Sequence, residues 1–216
     1  METFPFTKRC FTLIIAFTGV LTIATSQTNF DKGNVLFNSG ETIEGYLMDN
    51  NSSVYSRFVA FKEQKKAKAV KMLTPKDISQ FETYNGTVYE ANAVAFQFHS
   101  KGGIQHNYAG KRFLKVLKKG KVSIYELRDL DVRAWFFQKD NQPLQFLGMN
   151  KKIALPYFEK FVSALADCPQ IEWNEDRSER RIGELILAAE EYNQYRLMSD
   201  AVLPQSKIGT EYMAEK

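Results

Sequence analysis

The segment 33–47 constrains the fold of this chain more than any other stretch of its sequence. It predicts two short strands joined by a tight turn, which Asn38 opens and in which Gly40 can take the positive φ that such turns require. Gly45 interrupts the apolar pattern of the second strand, and a glycine inside a strand usually marks a bulge or a close approach of another backbone. The segment therefore predicts a bent hairpin, which is typical of the start of a small, strongly curved β-barrel.

Nine further short segments after this hairpin have the apolar or alternating pattern of β-strands. Asn85-Gly86 separates two of them and is the strongest short hairpin signal in the chain. The stretch 101–110 contains three glycines and predicts a mobile loop. Short strands at this spacing favour an antiparallel barrel or sandwich. The predicted strands are 33–37, 42–47, 57–62, 69–73, 78–84, 87–91, 93–98, 113–117, 122–127, 134–139 and 144–147.

After Met149 the apolar residues recur at helical spacing. A first helix is predicted to begin near Pro156 and to end before the sequence Asp-Cys-Pro at 167–169. Asp176 predicts the N-cap of a second helix that reaches about Leu197. Since neither helix can hide its apolar stripe alone, we expect the two to pack on the β-rich part. The predicted apolar face of the second helix consists of Ile182, Leu185, Ile186, Ala189 and Tyr192.

The predicted fold class is therefore α+β. It comprises a small curved antiparallel β-barrel or sandwich-like sheet, followed by a C-terminal two-helix hairpin packed on it. The chain is expected to divide into four parts. These are a signal peptide (1–26), a β-rich domain (27–150), a helical hairpin packed on that domain (151–198) and a flexible tail (199–216).

Residues 1–26 have the three-part layout of a secretory signal peptide. Lys8 and Arg9 precede an uncharged apolar run from 10 to 24, and small residues occupy the positions that a signal peptidase reads. The alternative is a transmembrane anchor, but the run is short for a helix that needs about 20 residues to span a membrane. We expect export to the periplasm or the cell exterior, with no transmembrane span after cleavage and Cys168 as the only cysteine.

Several strings of this sequence together resemble a family of exported proteins from Bacteroidetes. The resemblance spans about 33–193 and implies an envelope location without an established activity. Some members carry an outer-membrane β-barrel after this module. Many members have a second cysteine after the Tyr-Asn pair, where this chain has Gln194 and Tyr195. The strings that carry the resemblance are Gly-Glu-Thr-Ile-Glu-Gly-Tyr-Leu at 40–47, Leu-Thr-Pro-Lys-Asp-Ile at 73–78, Phe-Leu-Lys-Val-Leu at 113–117, Asp-Cys-Pro at 167–169 and Glu-Glu-Tyr-Asn at 190–193.

Charge is distributed unevenly along the chain. Residues 27–150 hold 18 basic and 12 acidic residues, whereas 151–216 hold 9 and 12, so the two parts are expected to attract each other. The basic excess is concentrated at 62–71 and 111–121. It predicts either a solvated face or guarded sheet edge, which is favoured, or a surface for an anionic lipid, glycan or protein. Export argues against nucleic acid as the partner. The candidate surface consists of Lys111, Arg112, Lys115, Lys118, Lys119 and Lys121.

The sequence contains no complete catalytic motif, and no cofactor is predicted. Its two histidines, His99 and His106, fall on either side of Gly102-Gly103, close enough for a shared metal ion if the loop folds back, although ordinary loop histidines are favoured. The acidic turn 128–131 suggests a cation site or, as favoured here, solvated carboxylates. Cys168 is interpreted as a small buried apolar residue rather than a reactive thiol.

These observations favour a non-enzymatic cell-envelope module that binds another envelope or outer-membrane protein, or an anionic surface. The alternative is an uncharacterised hydrolase that uses His99 or His106 as its base. The two functions differ in one structural requirement. A hydrolase needs one of these histidines in a cleft beside an acid or a hydroxyl group.

If residues 1–26 are a cleaved signal peptide, the mature protein should begin at or near Gln27, because the apolar run ends just before it. Mass spectrometry of the protein purified from its source organism measures this N-terminus directly. A chain that retains Met1 in the membrane fraction would contradict cleavage and support the anchor.

Overall fold

The computed structural model describes residues 29–48, 53–99, 102–130, 132–171, 173 and 180–202. The predicted signal peptide, the predicted helix cap Asp176 and residues 203–216 lie outside the described residues. The strands are β1 (Phe30–Phe37), β2 (Thr42–Met48), β3 (Val59–Lys62), β4 (Lys71–Leu73), β5 (Ile78–Glu82), β6 (Val88–His99), β7 (Gln105–Lys118), β8 (Val122–Asp129), β9 (Val132–Lys139) and β10 (Gln145–Gly148). A 3-10 turn (Ser53–Ser56) precedes β3, and two helices, α1 (Leu155–Ala164) and α2 (Ile182–Val202), follow β10.

All ten strands belong to one antiparallel sheet with the order β10-β9-β8-β7-β6-β5-β1-β2-β3-β4. Its end strands, β10 and β4, do not pair with each other, so the sheet is not closed. Both helices follow the last strand. The predicted α+β class, an antiparallel sheet with a C-terminal helical region, is confirmed.

β1 and β2 form the predicted opening hairpin, in which Gly33 lies opposite Gly45. A Cβ atom on Gly45 would lie 2.3 Å from a ring carbon of Phe61 and 2.6 Å from the carbonyl oxygen of Lys62. A Cβ atom on Gly33 would lie 2.5 Å from the carbonyl oxygen of Glu82. The predicted close approach of another backbone at Gly45 is therefore confirmed, and Gly33 has the same role on the paired strand.

The hairpin of β6 and β7 differs from the prediction. The segments 87–91 and 93–98 are not two strands, since 88–99 forms the single strand β6. The predicted loop 101–110 is wrong, because most of it belongs to β7 and pairs with β6 without a break. Gly110 lies inside β7 with a φ of +136°. Glycine tolerates this backbone conformation, so Gly110 lies within the strand and does not end it.

The sheet curls on both sides of this long hairpin. Side chains from β1 to β5 form one hydrophobic core together with Phe113 of β7. A second core is formed by β6 to β10, where the ring of Phe96 stacks on that of Phe146 with centroids 4.8 Å apart. β6 and β10 are four positions apart in the sheet. The ring contact therefore requires the sheet to curve back on itself.

The helical region packs on a third core, which uses the face of β8 opposite the second core. The predicted apolar face of α2 is confirmed, because Leu185, Ala189 and Tyr192 are buried there. Cys168 is buried in the same core, as the sequence favoured. α2 extends to Val202, so 199–202 is helix and not part of a tail. No helix in the described part of the chain is long and apolar enough to cross a membrane.

Replacing Gly45 by valine should lower the free energy of unfolding by about 2–3 kcal/mol, because overpacking a filled site costs about 1–3 kcal/mol and here one neighbour is backbone. The matched control is Ser39→Ala in the exposed turn of the same hairpin, which should cost less than about 0.5 kcal/mol. Urea unfolding measures both. Equal unfolding midpoints for the two variants would show that Gly45 has no special packing role.

Candidate functional site

A polar cleft of about 600 Å³ lies where α2 passes the turn between β7 and β8 and the end of β9. Its volume falls in the range of about 300–1,000 Å³ that is typical of small-molecule sites. Asp140 and the exposed side chain of Leu197 complete the lining, in which most residues are polar although apolar atoms contribute the larger part of the surface. Its polar lining residues are Lys119, Lys121, Ser123, Gln138, Asp140, Asn141 and Asn193.

Asn193 fixes α2 to the first residue of β8. Its amide nitrogen donates to the carbonyl oxygen of Val122, and its amide oxygen accepts from the N–H of the same residue, both at 2.8 Å. The buried amide thus forms the two backbone hydrogen bonds that a residue of a neighbouring strand would form. A Cβ atom on Gly120 would lie 2.3 Å from the Asn193 amide nitrogen. Only glycine at position 120 leaves room for this contact.

Lys119 anchors one side of the cleft through an ion pair with Glu90. Its ammonium group lies 2.7 Å from each Glu90 carboxylate oxygen and 3.4 Å from the hydroxyl of Tyr125. Burial alone lowers the pKa of Lys119, but the hydrogen bond and charge of Glu90 and its contact with Tyr125 outweigh burial and raise it. Lys119 therefore carries a positive charge over the whole physiological pH range.

Further ion pairs tie the sheet to α2. Lys121 lies 3.4 Å from a carboxylate oxygen of Asp200, and Lys118 lies 2.6 Å from one of Glu190. These pairs join the basic β-rich part of the chain to the acidic helical part. They bear out the attraction expected from the charge distribution.

The six predicted surface residues do not lie on one face. Lys119 and Lys121 both line the cleft, while Lys118 forms an ion pair with Glu190 of α2. Arg112 is half-buried on β7 with Asp129 beside it, and Lys111 is exposed. The sixth residue, Lys115, is partly exposed on β7. β7 pairs with β6 up to Lys115 and with β8 from Lys115 to Lys118, so the predicted guarded sheet edge is wrong for Lys115. It stays a prediction for Lys111 and Arg112, which lie where β7 pairs with β6 alone among the described strands.

Two of the strings that carry the family resemblance meet in space. The Tyr192 hydroxyl, from the string 190–193, donates to the carboxylate of Asp167, from the string 167–169, at 3.0 Å. Lys139 of β9 lies 2.9 Å from the same carboxylate and donates to the carbonyl oxygen of Ala164 at 2.7 Å. The residues of these strings therefore attach α2 and the end of α1 to the sheet.

Asp129 departs most from its predicted environment. The sequence favoured a solvated carboxylate, but only 2% of Asp129 is exposed. Arg57 donates to it from Nε at 2.8 Å and from Nη2 at 3.2 Å, and the Tyr108 hydroxyl donates to it as well. Nε of Arg112 lies 3.7 Å away. The carboxylate is occupied by protein donors, which is the arrangement of a structural ion pair.

The pKa values in this cluster follow from its burial and its donors. Burial raises the pKa of the Asp129 carboxyl, but hydrogen bonds from Arg57, Tyr108 and Ser56 outweigh burial and hold it below its ordinary value. Burial, together with the hydrogen bond to Asp129, raises the pKa of Tyr108 to about 12. Asp129 is therefore ionised and Tyr108 is neutral at physiological pH.

The two histidines do not share a site. His106 lies opposite Phe98 in the ladder and stacks on its ring with centroids 5.0 Å apart, whereas His99 lies opposite Gln105. Successive residues of a strand point to opposite faces, so the imidazoles lie on opposite faces of the hairpin. The predicted proximity for a shared metal ion is wrong. No group of three metal-ligating side chains occurs among the described residues.

Comparison of the chain with protein-family models, with curated proteins and with solved structures gives no match. The geometry of the cleft is therefore the basis for a functional conclusion.

Of the nine residues that line the cleft, the sequence indicated two, Lys119 and Lys121. Gln138, Asn141 and Asn193 belong to it, but none was a candidate. The one available signal for Asn193 was its polar side chain beside Tyr192 on the apolar face of a predicted helix. A polar residue in that position needs a hydrogen-bonding partner on the sheet.

Replacing Asp129 by asparagine should lower the free energy of unfolding at pH 7 by about 2–3 kcal/mol, because it leaves Arg57 and Arg112 without their carboxylate. The folded-state pKa of Asp129 is depressed, so its contribution exists above the unfolded pKa of about 3.9 and is lost as pH falls through the folded pKa. Urea unfolding from pH 7 to pH 2 should show a difference between wild type and variant that shrinks below about pH 4.

The control is Asp31→Asn in the partly exposed β1 position, which should change stability by less than about 0.5 kcal/mol. A difference between wild type and Asp129→Asn that stays constant down to pH 2 would contradict the electrostatic role of Asp129.

Proposed function

We propose that the protein is an exported, non-enzymatic module of the cell envelope that binds an anionic group in the cleft. The observation that carries this proposal is the presence of two lysines, Lys119 and Lys121, among the residues that line a cleft held in place by the buried hydrogen bonds of Asn193. Its partner is an envelope component that bears carboxylate or phosphate groups, carried by a glycan, a lipid or another envelope or outer-membrane protein.

Lys121 can offer donors to such a group, because a lysine ammonium has three N–H donors and its partner Asp200 lies 3.4 Å away. Lys119 already contacts both carboxylate oxygens of Glu90 and the hydroxyl of Tyr125, so it contributes its charge. The amide side chains of Gln138 and Asn141 supply further neutral donors. The ion pairs hold the lysines in position, which reduces the entropy that a ligand must remove on binding.

The hydrolase alternative finds no support in the geometry. His99 and His106 are both exposed at the far end of the β6–β7 hairpin, and neither lines the cleft. The described residues that line the cleft therefore supply no histidine to act as the base of a hydrolase. Binding is therefore the function to which the proposal commits.

The same proposal includes the arrangement of the sheet and helices and the chain's family membership. The sheet is proposed to act as a small barrel-like unit, with α1 and α2 as a helical hairpin on its side. The attachment of Asp167 and Tyr192 to each other supports this arrangement. The resemblance to exported Bacteroidetes proteins supports an envelope role, because that family is exported.

The test uses the mature chain with two lysines made neutral, Lys119→Gln together with Lys121→Gln. Binding to polygalacturonate, to phosphatidylglycerol vesicles and to the uncharged controls dextran and phosphatidylcholine is measured by titration calorimetry. We expect binding to one anionic probe, weakened about tenfold or more in the variant. It should also weaken as salt rises, because exposed charges are screened over about 8 Å at physiological ionic strength.

The matched control is Lys65→Gln together with Lys66→Gln, two exposed lysines in the loop between β3 and β4. These should leave binding unchanged. Glutamine is used because an acid at position 119 would repel Glu90 and disturb the fold. If both variants weaken binding equally, the effect comes from net charge and not from the cleft, which contradicts the proposal. An unaltered affinity in the cleft variant would also refute the cleft as the binding site.

A further inference from the structure

The second part of β6 has a strand partner on one side only. β6 pairs with β7 from Tyr89 to His99, but with β5 only from Val88 to Glu90. Among the strands that the structure describes, none pairs with the other side of 91–99. This edge presents a row of backbone N–H and C=O groups of the kind that templates pairing with a further strand.

A second open edge borders the same core. In the described part of the chain, β10 pairs with β9 alone. Phe146 of β10 stacks on Phe96 of β6, and both rings lie 5.7 Å from the ring of Phe136 between them. The edges of 91–99 and β10 therefore flank one aromatic cluster. We call the space between these two edges the seam.

The two edges of the seam carry no charged side chains, in contrast to the other end of the sheet. Residues 91–98 are Ala-Asn-Ala-Val-Ala-Phe-Gln-Phe and residues 145–148 are Gln-Phe-Leu-Gly, with no charged side chain in either segment. The end strand β4 contains Lys71 and follows a loop with three more lysines at 65, 66 and 68. Lysines on an edge strand discourage pairing with other chains, and long uncharged edges are normally covered.

We propose that the seam binds an extended segment of another polypeptide, which adds as an eleventh strand between β6 and β10. This is recognition by strand addition, in which main-chain hydrogen bonds supply affinity and alternate side chains supply specificity. One inserted strand satisfies both edges when they lie about 10 Å apart, twice the usual strand spacing. This interaction is independent of the proposed anion site, because no cleft residue belongs to the seam.

The chemistry of the seam defines the partner segment. Its inward side chains are apolar, because they meet Val94, Phe96 and Phe146 of the aromatic core. Its outward side chains are neutral and polar, since neither flanking strand offers a charge to pair with a charged residue. The exposed residues Ala93 and Ala95 are small and leave the outer face of β6 open to such a strand.

The probe is a synthetic ten-residue peptide in which valine and threonine alternate, with blocked ends. Hydrogen exchange should show added protection at 91–99 and 145–148 when the peptide binds, and none at the β4 edge. Ala95→Lys places a guarding charge on the edge and should weaken binding, measured by fluorescence anisotropy, about tenfold or more. Met72→Lys, at an exposed position of β4, is the matched control and should not change it.

Circular dichroism measures whether each variant folds. If Ala95→Lys does not fold, Gln97→Lys repeats the test at a second exposed position of β6. Absence of peptide binding, or protection outside the seam alone, would overturn the proposal. So would unchanged affinity in a folded Ala95→Lys variant. Protection of 91–99 that rises with protein concentration without peptide, together with a dimer in sedimentation, would assign the seam to a second copy and also overturn it.

Discussion

The buried carboxylate of Asp129 joins parts of the chain that the strand order keeps apart. Asp129 ends β8, yet its main donor is Arg57, which lies between β2 and β3 and is 72 residues distant in sequence. β2 is five positions from β8 in the sheet and β3 is six, so the pair forms only when the sheet curls. A buried carboxylate without donors costs several kcal/mol. The ion pair and the curl therefore depend on each other.

The cleft depends on the opposite end of the same strand. Val122 begins β8 and pairs with Asn193, which holds α2 across the strand ends. Gly120 leaves the space for that amide, and Lys118 and Lys121 add ion pairs to the same helix. Because apolar burial on the third core is not directional, these polar contacts set the register of α2. The result is a cleft whose walls are held in place by these contacts.

Structural features that depend on neighbouring residues could be predicted from the sequence, whereas contacts between residues far apart in the sequence could not. Gly45 and the apolar face of α2 were predictable because each is encoded in a few neighbouring residues. The prediction of a loop at 101–110 was wrong. Its glycines suggested that the strand is interrupted, whereas β7 continues through Gly110, which has a positive φ. Asp129 and Asn193 find their partners 72 and 71 residues away, and no local pattern encodes such pairing.

The central claim is that the cleft between α2 and the ends of β8 and β9 is the binding site. Backbone amide chemical shifts recorded by NMR during titration with the anionic probe test it most directly. The account predicts that the largest shift changes fall on the cleft residues, including Gly120, Gln138 and Asn141, and that the lysine-rich loop 62–71 stays unchanged. Changes that are largest in that loop, or at His99 and His106, would contradict it.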